Sequence, residues 1–297
     1  MKRVLAFLCV LALVAGCAAK PAGIDGSLVN GWPMMDGATY AVPQVGHCYN
    51  GTQTSYDGTD YTGYQEAPCD GDHIVEVAAH GTFTGAAAGA SRPPVVGDAT
   101  QKAARTTCAA AADVYLGGNW ETAFVYLRVG LPSVAEWTGG DRTFTCELGP
   151  DGAPDDYHLK GSVKGGLTGN RVAARACVEF SSPDQPNAHG FYENPDGINS
   201  VPCDALHNAE FGGVFDASDG PVPDSKNDKL MVSFDGRCGA LVAKYVGQSL
   251  SQLRRRTDLT YYWFWPLEDP WARGEREVDC YLATQVAHPV TKSLKAP

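Results

Sequence analysis

Apolar and polar residues change period in the same order twice along the chain. "HIVEVAAHGTF", residues 73 to 83, alternates and is rich in β-branched residues. That pattern predicts a strand with His73, Val75 and Val77 on one face and Ile74 and Glu76 on the other. The alanine-rich "GDATQKAARTTCAAAADVYLGG", 97 to 118, has an aspartate near its start and a glycine pair at its end, the marks of a helix. "AFVYLRVGL", 123 to 131, alternates again, and Cys146 falls on a last strand. The second half predicts a helix from about Ser225 to Val246, in which "FDG" at 234 to 236 is a candidate break. An alternating "LTYYWFW" at 259 to 265 and a last strand with Cys280 follow. Residues 151–168, 181–200 and 216–224 are rich in Pro, Gly and Asp and read as linker and surface loops.

The cysteines keep the same rhythm. Cys48, Cys69, Cys108 and Cys146 are separated by 21, 39 and 38 positions, and Cys177, Cys203, Cys238 and Cys280 by 26, 35 and 42. "PCDGDHIVE" at 68 to 76 is echoed by "PCDALHNAE" at 202 to 210, and Tyr115 stands opposite Tyr245. Pro132, Trp137, Gly140, Arg142 and Cys146 meet Pro266, Trp271, Gly274, Arg276 and Cys280 without a gap. The predicted class is therefore α+β: two tandem homologous disulfide-stapled modules, at 41–150 and 169–285, each a small antiparallel sheet with one main helix. Residues 151–168 are the linker between them and 286–297 a tail.

The start of the chain sets the compartment. Lys2 and Arg3 precede eleven apolar residues, Val4 to Val14, and then "AGC" with Cys17. This stretch falls well short of the ~20 residues a spanning helix needs, so it reads as a secretory signal. "LVAGC" also resembles the bacterial lipobox, in which the cysteine after the cut is lipidated. Residues 1–17 are then a lipoprotein signal peptide ending at its lipidation site, Cys17, and 18–40 a tether to an extracytoplasmic domain on the outer face of the cytoplasmic membrane. In an oxidising compartment, four cysteines per module read as two disulfides each. Three pairings are open, and the local one is favoured: Cys48 with Cys69, Cys108 with Cys146, Cys177 with Cys203 and Cys238 with Cys280.

Charge removes one class of partner. The formal charge of -11 becomes -13 once Lys2 and Arg3 are gone, which gives no electrostatic case for binding nucleic acid.

Three constellations could carry chemistry. Cys69, His73, Cys203 and His207 are good zinc ligands, but the spacing is Cys-x3-His and secreted cysteines oxidise, so no metal or cofactor is expected. His73 with Glu76 and His207 with Glu210 could act as a base with an orienting carboxylate. Residues three apart on a strand point to opposite faces, however, and no nucleophile recurs beside them, so no catalytic residue is assigned. The recurring Trp-x-x-Gly-x-Arg, Trp137 with Arg142 and Trp271 with Arg276, reads as a candidate binding lip or as a turn with an arginine stacked on the ring. "YYWFWP" adds Tyr261, Trp263 and Trp265 to the candidate binding surface.

Taken together, "GHCY", "VPCD" with His-x-x-Glu, the helix cysteine with a tyrosine seven residues on, and the closing Pro, Trp, Gly, Arg and Cys resemble the septum-formation domain of actinobacterial envelope proteins. The second copy departs at "ARACV", where Arg175 stands for a glycine. The resemblance implies a membrane-tethered extracytoplasmic protein linked to septum formation or cell division, and lends no catalytic residues. The expected function is a non-enzymatic binding or scaffold lipoprotein for a cell-envelope or divisome protein. The alternatives are an envelope hydrolase or metal-dependent enzyme built on the paired His-x-x-Glu, and a carrier or sensor of a small hydrophobic or cell-wall ligand with a roofed pocket beside "YYWFW".

Overall fold

A computed structural model describes residues 42–51, 63–150 and 158–297. The signal, Cys17 and the tether lie outside the described residues.

Two five-stranded sheets, antiparallel throughout, carry the structure. The first is built from β1 (Cys48–Asn50), β2 (Gln65–Ala67), β4 (Val75–Thr82), β5 (Val125–Gly130) and β6 (Thr143–Pro150), in the order β2-β1-β4-β6-β5, with a two-residue β3 (Asp72–His73) leading into β4. A short β7 (Leu159–Lys160) pairs with β3. The second contains β8 (Cys177–Ser181), β9 (Gly197–Val201), β10 (Ala209–Asp216), β11 (Leu259–Phe264) and β12 (Glu277–Thr284), in the order β9-β8-β10-β12-β11. Strand for strand the two orders correspond. Both also carry a bulge at the same place, between Val77 and Ala79 against β6 and between Phe211 and Gly213 against β12.

The helices include α1 (Gly85–Ala88), α2 (Ala99–Leu116), α3 (Val134–Thr138), α4 (Asp228–Tyr245), α5 (Leu250–Leu253) and α6 (Glu268–Ala272). The two long ones follow from their ends and their small residues. Asp98 caps α2 by accepting from the Gln101 N–H, and Gly117 ends it at φ 78°, a left-handed conformation that glycine adopts without strain. Its alanines let the helix lie close on β4, β5 and β6. The α4 helix runs straight through "FDG". Phe234 is the reason, since it is buried against Phe215 and Trp265 and anchors that turn in the core. At Gly239 a side chain would collide with the Tyr261 ring, so glycine permits the close approach of α4 to β11.

Disulfides pin these layers. Cys108–Cys146 and Cys238–Cys280 tie each long helix to the strand beneath it, while Cys48–Cys69 and Cys177–Cys203 tie the first strand of each sheet to the turn after the second. Among the described residues the eight cysteines thus pair in sequential order, 48 with 69, 108 with 146, 177 with 203 and 238 with 280.

Several elements differ from the sequence reading. Residues 181–200, read as loop, contain most of β9, whose "GINSV" has too many small polar residues to look like a strand until β8 pairs with it. Residues 158–168 of the linker, and the tail, are held in place. Leu159, Val163 and Leu167 are buried in the first core, and Val290 pairs with His207. Residues 73–83 do not form one alternating strand. The chain kinks at Ile74, whose N–H is taken by the Tyr49 carbonyl, and Val75, Glu76, Val77 and Ala78 are all buried because the sheet is covered on both faces. The described residues between 42 and 297 cluster as one compact unit.

Candidate functional site

The kink at Ile74 decides the fate of His73 and Glu76. It brings them to the same side, correcting the expectation that they point apart, and His73 Nε2 comes to 4.0 Å from Glu76 Oε2. His207 Nε2 lies 3.2 Å from Glu210 Oε1 in the second half.

Both carboxylates are enclosed and occupied. Glu76 is fully buried, and its Oε1 accepts from the Tyr115 hydroxyl and from Ser162 Oγ at 2.5 Å, while Oε2 accepts the Val163 N–H at 2.7 Å. Glu210 repeats the arrangement, with Tyr245 at 2.6 Å, Ser293 Oγ at 2.7 Å and the Leu294 N–H at 2.7 Å. Each histidine donates Nδ1–H to a carbonyl two residues earlier, Gly71 or Ala205, at 2.9 Å. Burial, and then the hydrogen bond to the adjacent carboxylate, push the Tyr115 and Tyr245 hydroxyls well above the usual phenol range. They remain donors at any physiological pH. A carboxylate that collects two hydroxyls and a backbone N–H in the core locks the helix, the strand and the returning segment together.

The serines of this lock lie in the segments read as linker and tail. "GSVK" at 161–164 and "KSLK" at 292–295 are the same Ser-apolar-Lys, placed 16 and 13 residues after Cys146 and Cys280. That recurrence was the available signal.

A metal does not fit these clusters. Cys48, His73 and Glu76 offer ligand atoms within 4.8 Å of one another, as do Cys177, His207 and Glu210. Both sulfurs are tied in disulfides, however, so no thiolate is available, and the carboxylate oxygens already serve other donors. The four-ligand set of Cys69, His73, Cys203 and His207 fails for the same reason.

The Trp-Gly-Arg pairs are brackets within the core and not a lip, which corrects their place on the candidate binding surface. Trp137 is 2% and Trp271 5% exposed. Their Nε1–H groups donate to Ala90 O and Gly220 O, each at 2.8 Å. Arg142 and Arg276 lie over the rings at 3.9 and 4.1 Å and donate back to the tryptophan carbonyls at 2.7 and 2.8 Å. Trp271→Ala should therefore cost about 3–5 kcal/mol of stability, read from the urea unfolding midpoint. A change below about 1 kcal/mol, as at a surface site, would contradict the bracket.

Tyr261, Trp263 and Trp265 are half-buried and turned toward α4, while Tyr262 and Phe264 pack on Phe180 and Tyr281 on the opposite face. β11 is the outermost strand of its sheet. Beside it runs a groove of about 460 Å³ between these aromatics, Met231 and Pro195, open to solvent at Leu267, which is 74% exposed.

Charged side chains join the two sheets. Arg105 on α2 donates to Leu127 O and to Glu277, both at 2.8 Å, and Tyr126 donates to Glu275 at 2.7 Å. Arg175 donates to Ala123 O at 2.9 Å, pairs with Asp279 and lies over the Phe211 ring. The residue that departs from the expected glycine is thus a junction residue. Burial, followed by the nearby Asp216 and Glu277 charges, pushes Glu121 up to about 7. Unfolded, it ionises near 4.5, so between those values the folded chain holds the extra proton and stability falls as pH rises, levelling off above about 7. Glu121→Gln should raise the thermal midpoint at pH 8 and leave it unchanged near pH 4. Equal midpoints at both pH values would contradict this placement of Glu121.

No curated protein and no solved structure matches the chain. A family model described as septum formation matches residues 45–280, running across both sheets from just before β1 to Cys280. With 236 of 297 residues inside that match, the chain belongs to the septum formation family.

Proposed function

We propose that the protein is a non-enzymatic envelope lipoprotein, held by lipid on Cys17 to the outer face of the cytoplasmic membrane, that binds a cell-envelope or divisome protein during septum formation. The observation that carries this reading is the state of the paired His-x-x-Glu. Groups available for catalysis need access to substrate, whereas Glu76 and Glu210 are sealed in the core with their oxygens committed to the fold. Four disulfides suit an oxidising compartment. Among the described residues no helix is long and apolar enough to cross a membrane.

The corresponding strand orders, bulges, disulfides and Glu–Tyr–Ser locks support an origin by tandem duplication. Each copy extends past the earlier boundary to include its Ser-apolar-Lys segment, at 158–168 and 286–297.

The β11 groove is the contact surface in this account. Its aromatic wall supplies large rigid contact area, and Leu267 stands at its mouth. Its volume also lies within the range of small-molecule sites, which favours the carrier reading as the second choice.

A photo-crosslinking residue at 267 in living cells tests the proposal. Adducts with an envelope or divisome protein, and release of a Cys17→Ser chain from the membrane fraction, are the expected results. Envelope hydrolysis lost in a folded His73→Gln, His207→Gln double variant would replace the proposal with an enzyme.

A further inference from the structure

The two disulfides next to the buried histidines are built unlike the two that staple the helices. Cys108, Cys146, Cys238 and Cys280 are all inaccessible. Cys48 and Cys177 are inaccessible too, but their partners Cys69 and Cys203 are partly exposed, in turns flanked by exposed Pro68 and Asp70 or Pro202 and Asp204. Each of these bridges therefore has an outer sulfur and an inner one. The inner sulfur, a ring nitrogen of the histidine and a glutamate oxygen lie within 4.8 Å of one another.

The two histidines differ in one respect. Nδ1 of each is committed to a backbone carbonyl, which can only accept, so Nδ1 carries a proton and Nε2 is the nitrogen left free of that bond. His207 Nε2 is engaged by Glu210 at 3.2 Å. His73 Nε2 is fully buried with no hydrogen-bond partner among the described residues. An orphaned buried nitrogen is costly, and one on a histidine packed beside a disulfide has an evident use, because a histidine next to a sulfur stabilises the thiolate.

We propose that Cys48–Cys69 is an exchange site, opened by an external dithiol attacking Cys69, with His73 receiving the charge that develops on Cys48. The incoming thiol gives up its proton, which ends on His73 Nε2, and its sulfur bonds to Cys69 Sγ as the bond between Cys69 and Cys48 breaks. The electron pair stays on Cys48 as a thiolate beside the imidazolium, with the Glu76 carboxylate flanking it. The second thiol of the reductant then displaces Cys69, its proton passing to that sulfur. The reductant leaves as its own disulfide, oxidised by two electrons, and the protein bridge is reduced by two. Cys177–Cys203 has the same outer and inner sulfurs but lacks the free nitrogen, which makes it the internal comparison.

The test is a time course of the folded chain in dithiothreitol without denaturant, quenched by alkylation and mapped by mass spectrometry. Cys48 and Cys69 should be labelled first, Cys177 and Cys203 about tenfold more slowly, and the helix cysteines last. His73→Gln should slow the first pair to the rate of the second. A destabilised fold would instead speed every opening, so slowing separates the chemistry from stability. All four bridges opening at one rate, Cys177–Cys203 opening first, or an unslowed first pair in His73→Gln would each overturn the proposal, the first two without any variant.

Discussion

Glu76→Ala and Glu210→Ala are each expected to lower unfolding stability by about 3–5 kcal/mol. The alanine leaves a tyrosine hydroxyl and a backbone N–H without the carboxylate that accepts them, and frees a serine hydroxyl on an exposed residue, Ser162 or Ser293, which in the second half still reaches Tyr245 at 3.2 Å. Each orphaned donor costs about 1–3 kcal/mol where water cannot enter, and partial relaxation keeps the total below the sum. Glutamine should lose less, since it keeps one carbonyl oxygen but turns an NH2 toward donors. Denaturant midpoints for the four variants, followed by circular dichroism, would show this order. A loss below about 1 kcal/mol in both alanine variants would mean that these carboxylates are not the lock described here.

Removing residues 286–297 should be nearly as damaging to the second half and harmless to the first. The segment supplies Ser293 and the Leu294 N–H to Glu210, the reciprocal His207–Val290 backbone bonds at 2.9 and 2.8 Å, and the Ala296 N–H to Tyr245 O at 2.8 Å. Leu294 also packs against the core beneath α4. Two lost carboxylate donors alone are worth about 2–4 kcal/mol. Hydrogen exchange should therefore accelerate in α4 and β10 and stay unchanged in α2 and β4, with Ser293→Ala giving a weaker version of the same pattern. Uniform exchange across both halves, or none changed, would contradict a lock local to each sheet.

The α2 helix is legible because its punctuation is local, Asp98 at its start and the glycine pair from Gly117 at its end, whereas α4, read from about Ser225, starts at Asn227, whose side chain accepts from the Leu230 N–H. The cysteine rhythm carries the helix-to-strand staples in the same way. The lock is harder to read, because it depends on a kink and on long-range returns. Strand periodicity places His73 and Glu76 on opposite faces, and only the Tyr49 carbonyl holding Ile74 reverses that. Ser162 and Ser293 sit among glycines, lysines and prolines, a composition that reads as linker until Glu76 and Glu210 are seen to collect them. Trp137 and Trp271 show the opposite failure. Their pattern is plain in sequence, but an aromatic beside an arginine looks alike at a surface and in a core, and only burial separates the two.

Arg175 teaches a related lesson. As a departure from the expected glycine it looks like a fault in the repeat, whereas it spans the junction from Ala123 O to Asp279. A residue that breaks a repeat is a natural place to look for contacts between its copies.

The measurement that tests the central claim most directly is the intact mass of the secreted chain, residues 18–297, taken natively and then denatured without reductant in the presence of an alkylating agent. Four closed disulfides predict a mass eight hydrogens below the reduced chain, with no alkylation and no bound metal in the native spectrum. Free thiols at Cys48, Cys69, Cys177 or Cys203 together with retained zinc would contradict the account and turn the buried His-Glu pairs from framework into a metal centre.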